Sequence, residues 1–563
     1  MSLVWIFATL VVSVLAEVQL EERGYLKLPI NDNGDFQFGT ESATESDLDP
    51  LTQTLYVVGH ETSMVHVVDM INLNAPNLRI SQTFTGSFGK PLDVQVCRTS
   101  SAHAFIAIAF EGVYNIAENG HVFIYPLGSG IRTEFNDLTG VSRETVGAHP
   151  DNIQWTSDCS RLVVSNEGIP YVSGNTFVDK PGEVYVLEVD NDGTVQSRTK
   201  IGFIRYDDQT QLDGLLADGF RYTIRNNPYD TSQTILISQN IEPEYIAINK
   251  DNTVAYITLQ ENNALARINL DGTPSLIDIK GLQLKDWSHH AVSIDASDQD
   301  NARGTNMTRR KIKSYYQPDK VMLMDWQGSS FLVTTDEGKK LDIAACTQAG
   351  CSDNVRAGDV TDWNVNDADL EAQLSDPAQL GRLFVESRSK DEVRAFGGRG
   401  FSILDLAERR VYESGDDIEA YSRRQPQTFN AACSGNGTVT PESEADVTSA
   451  EYGPELNSVV IGKWDTDTFM FFGAGQSGKI YVFALNPLVT ARPLPIFQHK
   501  IRRMPDPTRT WDDLHANSLA GDAGIVDLKF DQDRHALFVL SAKSSSVSCY
   551  EMVDQNSNVV REM

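Results

Sequence analysis

Residues 242–263, EPEYIAINKDNTVAYITLQENN, place an acidic residue just before one alternating apolar run and another just after the next. The same outline recurs in HPDNIQWTSDCSRLVVSNEG (149–168) and QPDKVMLMDWQGSSFLVTTDEG (317–338). Each copy has Pro, then Asp or Glu, then apolar residues at every second position: Ile153 and Trp155, Ile246 and Ile248, Val321 and Leu323. That period is the signature of a strand. A polar turn leads to a second apolar run, closed by Glu167, Glu261 or Glu337. Looser copies occupy 48–70, 91–112, 453–485 and 524–552, and a weaker one lies around 392–406. In the 91–112 copy Asp93 directly precedes the apolar Val94, so it is expected on the opposite face from the other acids.

Repeats of several short antiparallel strands favour radial repetition around a channel, which leaves few exposed sheet edges. The expected fold is therefore an all-β propeller of about seven blades, with eight as the alternative. At roughly 40–50 residues per blade, a chain of 563 residues carries long insertions, placed near 200–235, 280–316 and 340–390. Such loops are where a specific function is expected. No Pro/Ser linker divides the chain, so residues 17–563 are read as a single domain.

Residues 1–16, MSLVWIFATLVVSVLA, are apolar from Leu3 to Leu15 and end on the small Ala16 before Glu17, the pattern of a signal peptide without Lys or Arg in its first segment. No other stretch is apolar enough to span a bilayer, and the final NSNVVREM supplies no lipid-anchor tail. The expected location is secreted, in the extracellular matrix. Six cysteines are an even set for an oxidising compartment. Cys346 and Cys351 close a small loop around a Gly. Cys97 and Cys159 fall in neighbouring units and could join blades, and Cys433 with Cys549 follows by elimination. No C-x-x-C pair supports zinc. Asn306-Met-Thr and Asn436-Gly-Thr are glycosylation acceptors in expected loops.

In an antiparallel hairpin the start of the first strand and the end of the second share one edge. Asp151 with Glu167, Glu244 with Glu261, and Asp319 with Glu337 should then converge at a channel mouth. Clustered carboxylates repel unless a cation or hydrogen bonds compensate them, and calcium takes six to eight oxygens. The competing reading is that these acids accept turn N–H bonds at strand ends. A second acidic group, Asp295, Asp298 and Asp300, offers oxygen ligands but lacks the Gly and distal Glu of an EF-hand loop. Asp190-Asn-Asp-Gly193 reads as a hairpin turn. The net charge of −31 and pI near 4.6 argue against a nucleic-acid partner and favour cations and basic surfaces. GAGQSGK at 473–479 resembles a phosphate loop, but Ile480 replaces the Ser or Thr and a strand follows. G-x-S-x-G and H-E-x-x-H are absent. Adjacent His289 and His290 are read as an ordinary loop pair.

EPEYIAINKDNTVAYITLQENNALARINL, LKDWSH with DASDQD, YYQPDKV with LVTTDEG, and FGGRGFSILDL with ESGDD together resemble the choice-of-anchor I family, over about residues 40–552. Its animal members include mesenchyme-specific cell-surface glycoproteins of sea-urchin skeletons and related shell-matrix proteins. The resemblance implies a secreted or surface-attached propeller connected with calcium carbonate biomineral, with calcium, mineral and other matrix proteins as partners. Departures from the family pattern are Asn457 and Val526, where acidic residues are usual, and Lys339 after the Gly of a closing Glu-Gly. They thin the acidic ring. The C-terminus also departs from membrane-anchored members, which points to a released form. The leading expectation is an acidic matrix glycoprotein that acts by binding calcium or mineral. The alternatives are a metal-dependent phosphoesterase or hydrolase using the same rim and a metal-free protein-interaction scaffold.

Overall fold

The computed structural model describes residues 18–84, 88–290, 292–343, 346–348, 350–489, 491–503 and 506–554. The 1–16 signal segment lies outside the described residues. Among them are seven four-stranded antiparallel sheets. Their first strands are Glu45–Asp49, Pro91–Arg98, Asn152–Trp155, Ile246–Ile248, Val321–Trp326, Leu456–Trp464 and Ile525–Asp531. Each of these touches the next, and Ile525–Asp531 returns to Glu45–Asp49. The sheets are thus the blades of a β-propeller whose first strands line a central channel. The ring is closed by the start of the chain: Val18–Lys27 pairs antiparallel with Ser546–Asp554 as the outer strand of the last blade.

Within each blade the composition follows depth. Ala104–Phe110, AFIAIAF, is buried on both faces and reads as an unbroken apolar run, whereas the outer Val195–Gly202, VQSRTKIG, is largely exposed. Charged outer strands blunt the free edges. The cores lie between neighbouring blades. Phe105, Ala107 and Ile124 of the second blade pack on Trp155, Leu162 and Leu187 of the third. The Cys97–Cys159 disulfide joins these two blades, and Cys346 is bonded to Cys351, both as expected. The expected third disulfide does not form. Cys433 is buried among Phe38, Trp511 and Leu514, and Cys549 among Leu55, Val57 and Phe538, in separate apolar clusters. Elimination assumed that every cysteine oxidises, but here both thiols pack as small apolar groups, and burial pushes each up to about 12.

The expected insertions carry their own structure. The 200–235 segment holds the helix Gln209–Ala217 and a short hairpin, Asn226–Asn227 with Asp230–Thr234. The other two insertions combine into one five-stranded sheet over an apolar cluster that includes Trp287, Ile294, Leu374 and Leu383. Its strands Lys313–Tyr315 and Arg394–Ala395 run parallel, and the helix Ala368–Ser375 packs nearby. Two further excursions escaped the sequence reading: Asp417–Ser422 with three short 3-10 turns, and the helix Trp511–Ala516. GAGQSGK forms the turn between strands Asp467–Ala474 and Lys479–Leu485, consistent with its rejection as a phosphate loop. Asp190 closes its hairpin by accepting from the N–H groups of Asp192 and Thr194. Both sequons, Asn306 and Asn436, are exposed.

Candidate metal centre at the channel mouth

The three well-formed repeats place their acids through one repeated backbone bond. The N–H of Asp151 donates to Ser165 O (3.1 Å), that of Glu244 to Thr258 O (3.0 Å) and that of Asp319 to Thr335 O (2.9 Å). Each acid before an inner strand is thereby held beside the end of the second strand. In the third blade the clamp is tighter, because Glu167 N donates to His149 O (2.9 Å) and Gly168 N to Ala148 O (3.2 Å). Gly168 has φ +75°, and a Cβ there would stand 2.5 Å from Lys180 O. Gly168→Ala should cost about 1–3 kcal/mol and displace Glu167. Urea unfolding together with a calcium titration would register both effects. His149 and Gln317, each before a Pro, occupy the left-handed region at φ 51° and 54°, a conformation uncommon for non-Gly residues.

Four of the six rim acids converge closely. His149, Asp151 and Glu167 each offer a ligand atom within 4.8 Å of the others, and so do Glu167, Glu244 and Glu261. Glu167 belongs to both sets and joins the third blade to the fourth. His149 Nε2 lies 3.6 Å from Glu167 Oε2, while His149 Nδ1, Glu244 Oε2 and Glu261 Oε2 are buried without a hydrogen-bond partner. Burial first, then the carboxylates of Asp151 and Glu261, raise Glu167 well above the ordinary range; burial, Glu261 and Glu167 do the same to Glu244. Asp151 is pushed up to about 6, chiefly by burial, with Lys339 opposing and Glu261 reinforcing. Among the described residues no hydrogen bond stands among the leading causes acting on these three groups, and Glu244 Oε2 is buried without a partner. Strand-end capping therefore does not account for them, and the orphaned oxygens fit an oxygen-seeking cation.

Asp319 and Glu337 flank the cluster without entering either set. Burial and then Glu337 raise Asp319, and Glu337 accepts from Gln260 Nε2 at 2.8 Å. Lys339 Nζ lies 3.8 Å from Glu261 Oε1 on a half-exposed side chain. It places a positive charge against Glu261 of the second ligand set. Two members of the cluster were missed from sequence: His149 and Glu242, the latter raised by burial and then by Glu261 and Glu167. Both precede a Pro of the repeat, Pro150 and Pro243, and that shared position was the available signal.

The second acidic group is not brought to this site, and its carboxylates serve separate partners. Asp295 accepts from Gly304 N (2.9 Å), Asp298 makes two 2.9 Å bonds to Arg382, and Asp300 accepts from Ala302 N and Asn306 Nδ2. The His289 and His290 rings lie tilted against each other with centres 4.2 Å apart. Asn457, expected to depart from an acidic position, donates to Ile525 O at 2.8 Å and forms an interblade tie. Asp93 follows a bulge, and its carboxylate accepts from Asn152 Nδ2 (2.8 Å) and Ile153 N (2.9 Å) of the neighbouring blade and belongs to neither ligand set.

One residue deeper than Asp319, Lys320 reaches across the channel. Its Nζ lies 2.8 Å from Asp527 and 3.3 Å from Glu45, and donates to Val526 O, while Tyr245 OH donates to Glu45 at 2.8 Å. Four blades meet in this crossing.

A family model described as the choice-of-anchor I domain matches residues 44–487. The chain belongs to the choice-of-anchor I family. Similar relatives are gigasin-3a of Magallana gigas, 30% identical over 166 residues (29% of this chain, 55% of the relative), and the mesenchyme-specific cell surface glycoprotein of Strongylocentrotus purpuratus, 29% identical over 281 residues (44% of this chain, 35% of the relative). The matches thus span 55% and 35% of those relatives' own lengths. Among solved structures, hydrazine synthase of Kuenenia stuttgartiensis aligns over 92% of this chain and 98% of its own, at TM-score 0.41 and 8% identity. The Dos1 propeller aligns over 94% and 95%, at 0.39 and 9%. Among the described residues no helix is long and apolar enough to cross a membrane.

Proposed function

We propose that this choice-of-anchor I protein is a secreted matrix glycoprotein that binds calcium, as the free ion or at a carbonate mineral surface, through Asp151, Glu167, Glu244 and Glu261. The observation that carries the reading is the pair of ligand sets sharing Glu167, with buried oxygens of Glu244 and Glu261 left unpartnered. Glu167, Glu244 and Glu261 supply the all-oxygen donors that calcium prefers, with Asp151 beside them. The surrounding charge of −31 concentrates cations at the surface. The cell-surface relative and the two exposed sequons support an extracellular setting. Isothermal titration of chelator-stripped protein with calcium tests the proposal. Saturable uptake is expected, and its absence in wild type rejects the calcium reading.

A pH dependence follows from the same groups. Asp151 is raised in the folded state, so its proton favours folding at low pH, and that contribution is lost as pH rises through the folded value of about 6. In chelator, thermal stability should fall as pH rises from roughly 4 to 7, and calcium should restore it at the upper end. A scan with and without calcium that shows identical pH profiles would contradict this.

His149 favours a second reading. An imidazole beside Asp151 and Glu167 suits zinc or manganese better than calcium, and such an ion could activate water for phosphoester hydrolysis. Turnover with either metal that is lost in Glu244→Gln would establish it.

A further inference from the structure

Away from the channel, the 200–235 insertion and the five-stranded insertion sheet enclose a branched cleft. Its cavities measure about 580, 360 and 250 Å³, and Arg225 lines all three. The charge of the cleft runs against that of the chain. Arg225 and Arg394 line both the largest and the smallest cavity, and Lys313 lines the largest. Lys313 and Arg394 share one carboxylate, Glu392, at 2.6 and 3.0 Å. Arg225 is exposed, has no acidic partner among the described residues, and sits with its guanidinium 5.7 Å from the Tyr222 ring. Six basic side chains line the three cavities against four carboxylates, Asp353, Glu386, Asp391 and Glu392, and of these basic groups Arg225 is the one left unpaired among the described residues.

A smaller apolar face adjoins these charges. Leu216, 39% exposed, stands with Phe220 along the same cavities, and Tyr315 adds a ring whose hydroxyl accepts from Arg394 at 3.3 Å. A guanidinium fork matches the oxygens of a carboxylate or sulfate, and the apolar face needs a ligand body to cover it. We propose that this cleft binds an organic oxyanion, the carboxylate or sulfate of an acidic sugar, with Arg225 as the principal anion contact.

The test uses the full chain in chelator, which removes any contribution from a cation at the channel mouth. Calorimetry is run against a sulfated disaccharide, glucuronate and sodium sulfate. The proposal expects saturable binding of at least one sugar, weakened about tenfold or more in Arg225→Gln, and weaker still as salt is raised. The two sugars distinguish a sulfate-bearing from a carboxylate-bearing ligand. Arg225 is exposed, so the variant should keep the wild-type circular dichroism and its calcium response. The proposal is overturned if neither sugar saturates, if Arg225→Gln binds as tightly as wild type, or if bare sulfate binds as well as the sugars. Because the calcium site is assayed separately, failure of one site leaves the other standing.

Discussion

Glu167→Gln is expected to lower calcium affinity by roughly 100-fold, about 2.7 kcal/mol, while making the calcium-free protein more stable at neutral pH. The two effects have one cause. Glu167 contributes to both ligand sets, so removing its charge weakens every coordination geometry the mouth can adopt. The same charge is what Asp151 and Glu261 oppose in the empty cluster, and the isosteric amide relieves that repulsion without opening a cavity. A residue with only a structural role would not give opposite signs in the two assays. Calorimetry and thermal unfolding in chelator read them separately. Asp298→Asn serves as the control, because Asp298 is committed to Arg382 and should leave calcium uptake unchanged.

Lys320→Met should destabilise the propeller by about 3–5 kcal/mol, the usual result of removing one partner from a buried ion pair. Methionine keeps the volume but takes the nearest ammonium from the buried Asp527 and Glu45, leaving Lys529, 3.4 Å from Asp527, as the remaining close cation. Burial already holds Glu45 up at about 7 with the ammonium beside it. The double variant Lys320→Met with Asp527→Asn should recover part of the loss, since it removes one of the two buried carboxylates that lost the Lys320 ammonium. Urea unfolding of both proteins decides the point. Equal losses in single and double variants would mean that the crossing contributes packing alone.

The propeller was legible in sequence because its hairpins repeat an alternating apolar period, and the convergence of Asp151, Glu167, Glu244 and Glu261 followed from antiparallel geometry. The remainder depended on information that periodicity does not carry. His149 and Glu242 lie before the Pro of the repeat, where no strand pattern marks which way a side chain points. The Lys320 crossing joins four blades whose residues are up to 482 positions apart, from Glu45 to Asp527. Elimination placed Cys433 with Cys549, whereas apolar packing holds them in different clusters. The acidic loop at 295–300 looked like a ligand group only because its partners, Arg382 and Gly304 among them, are brought in by the fold.

The most direct test of the channel-mouth site is a crystal soaked in calcium, or in manganese for its stronger anomalous signal, with the difference map calculated around Glu167. A peak bonded to carboxylate oxygens of Glu167, Glu244 and Glu261, with Lys339 displaced outward, is the predicted result. A mouth in which Lys339 stays against Glu261 and no density appears among these carboxylates would contradict it.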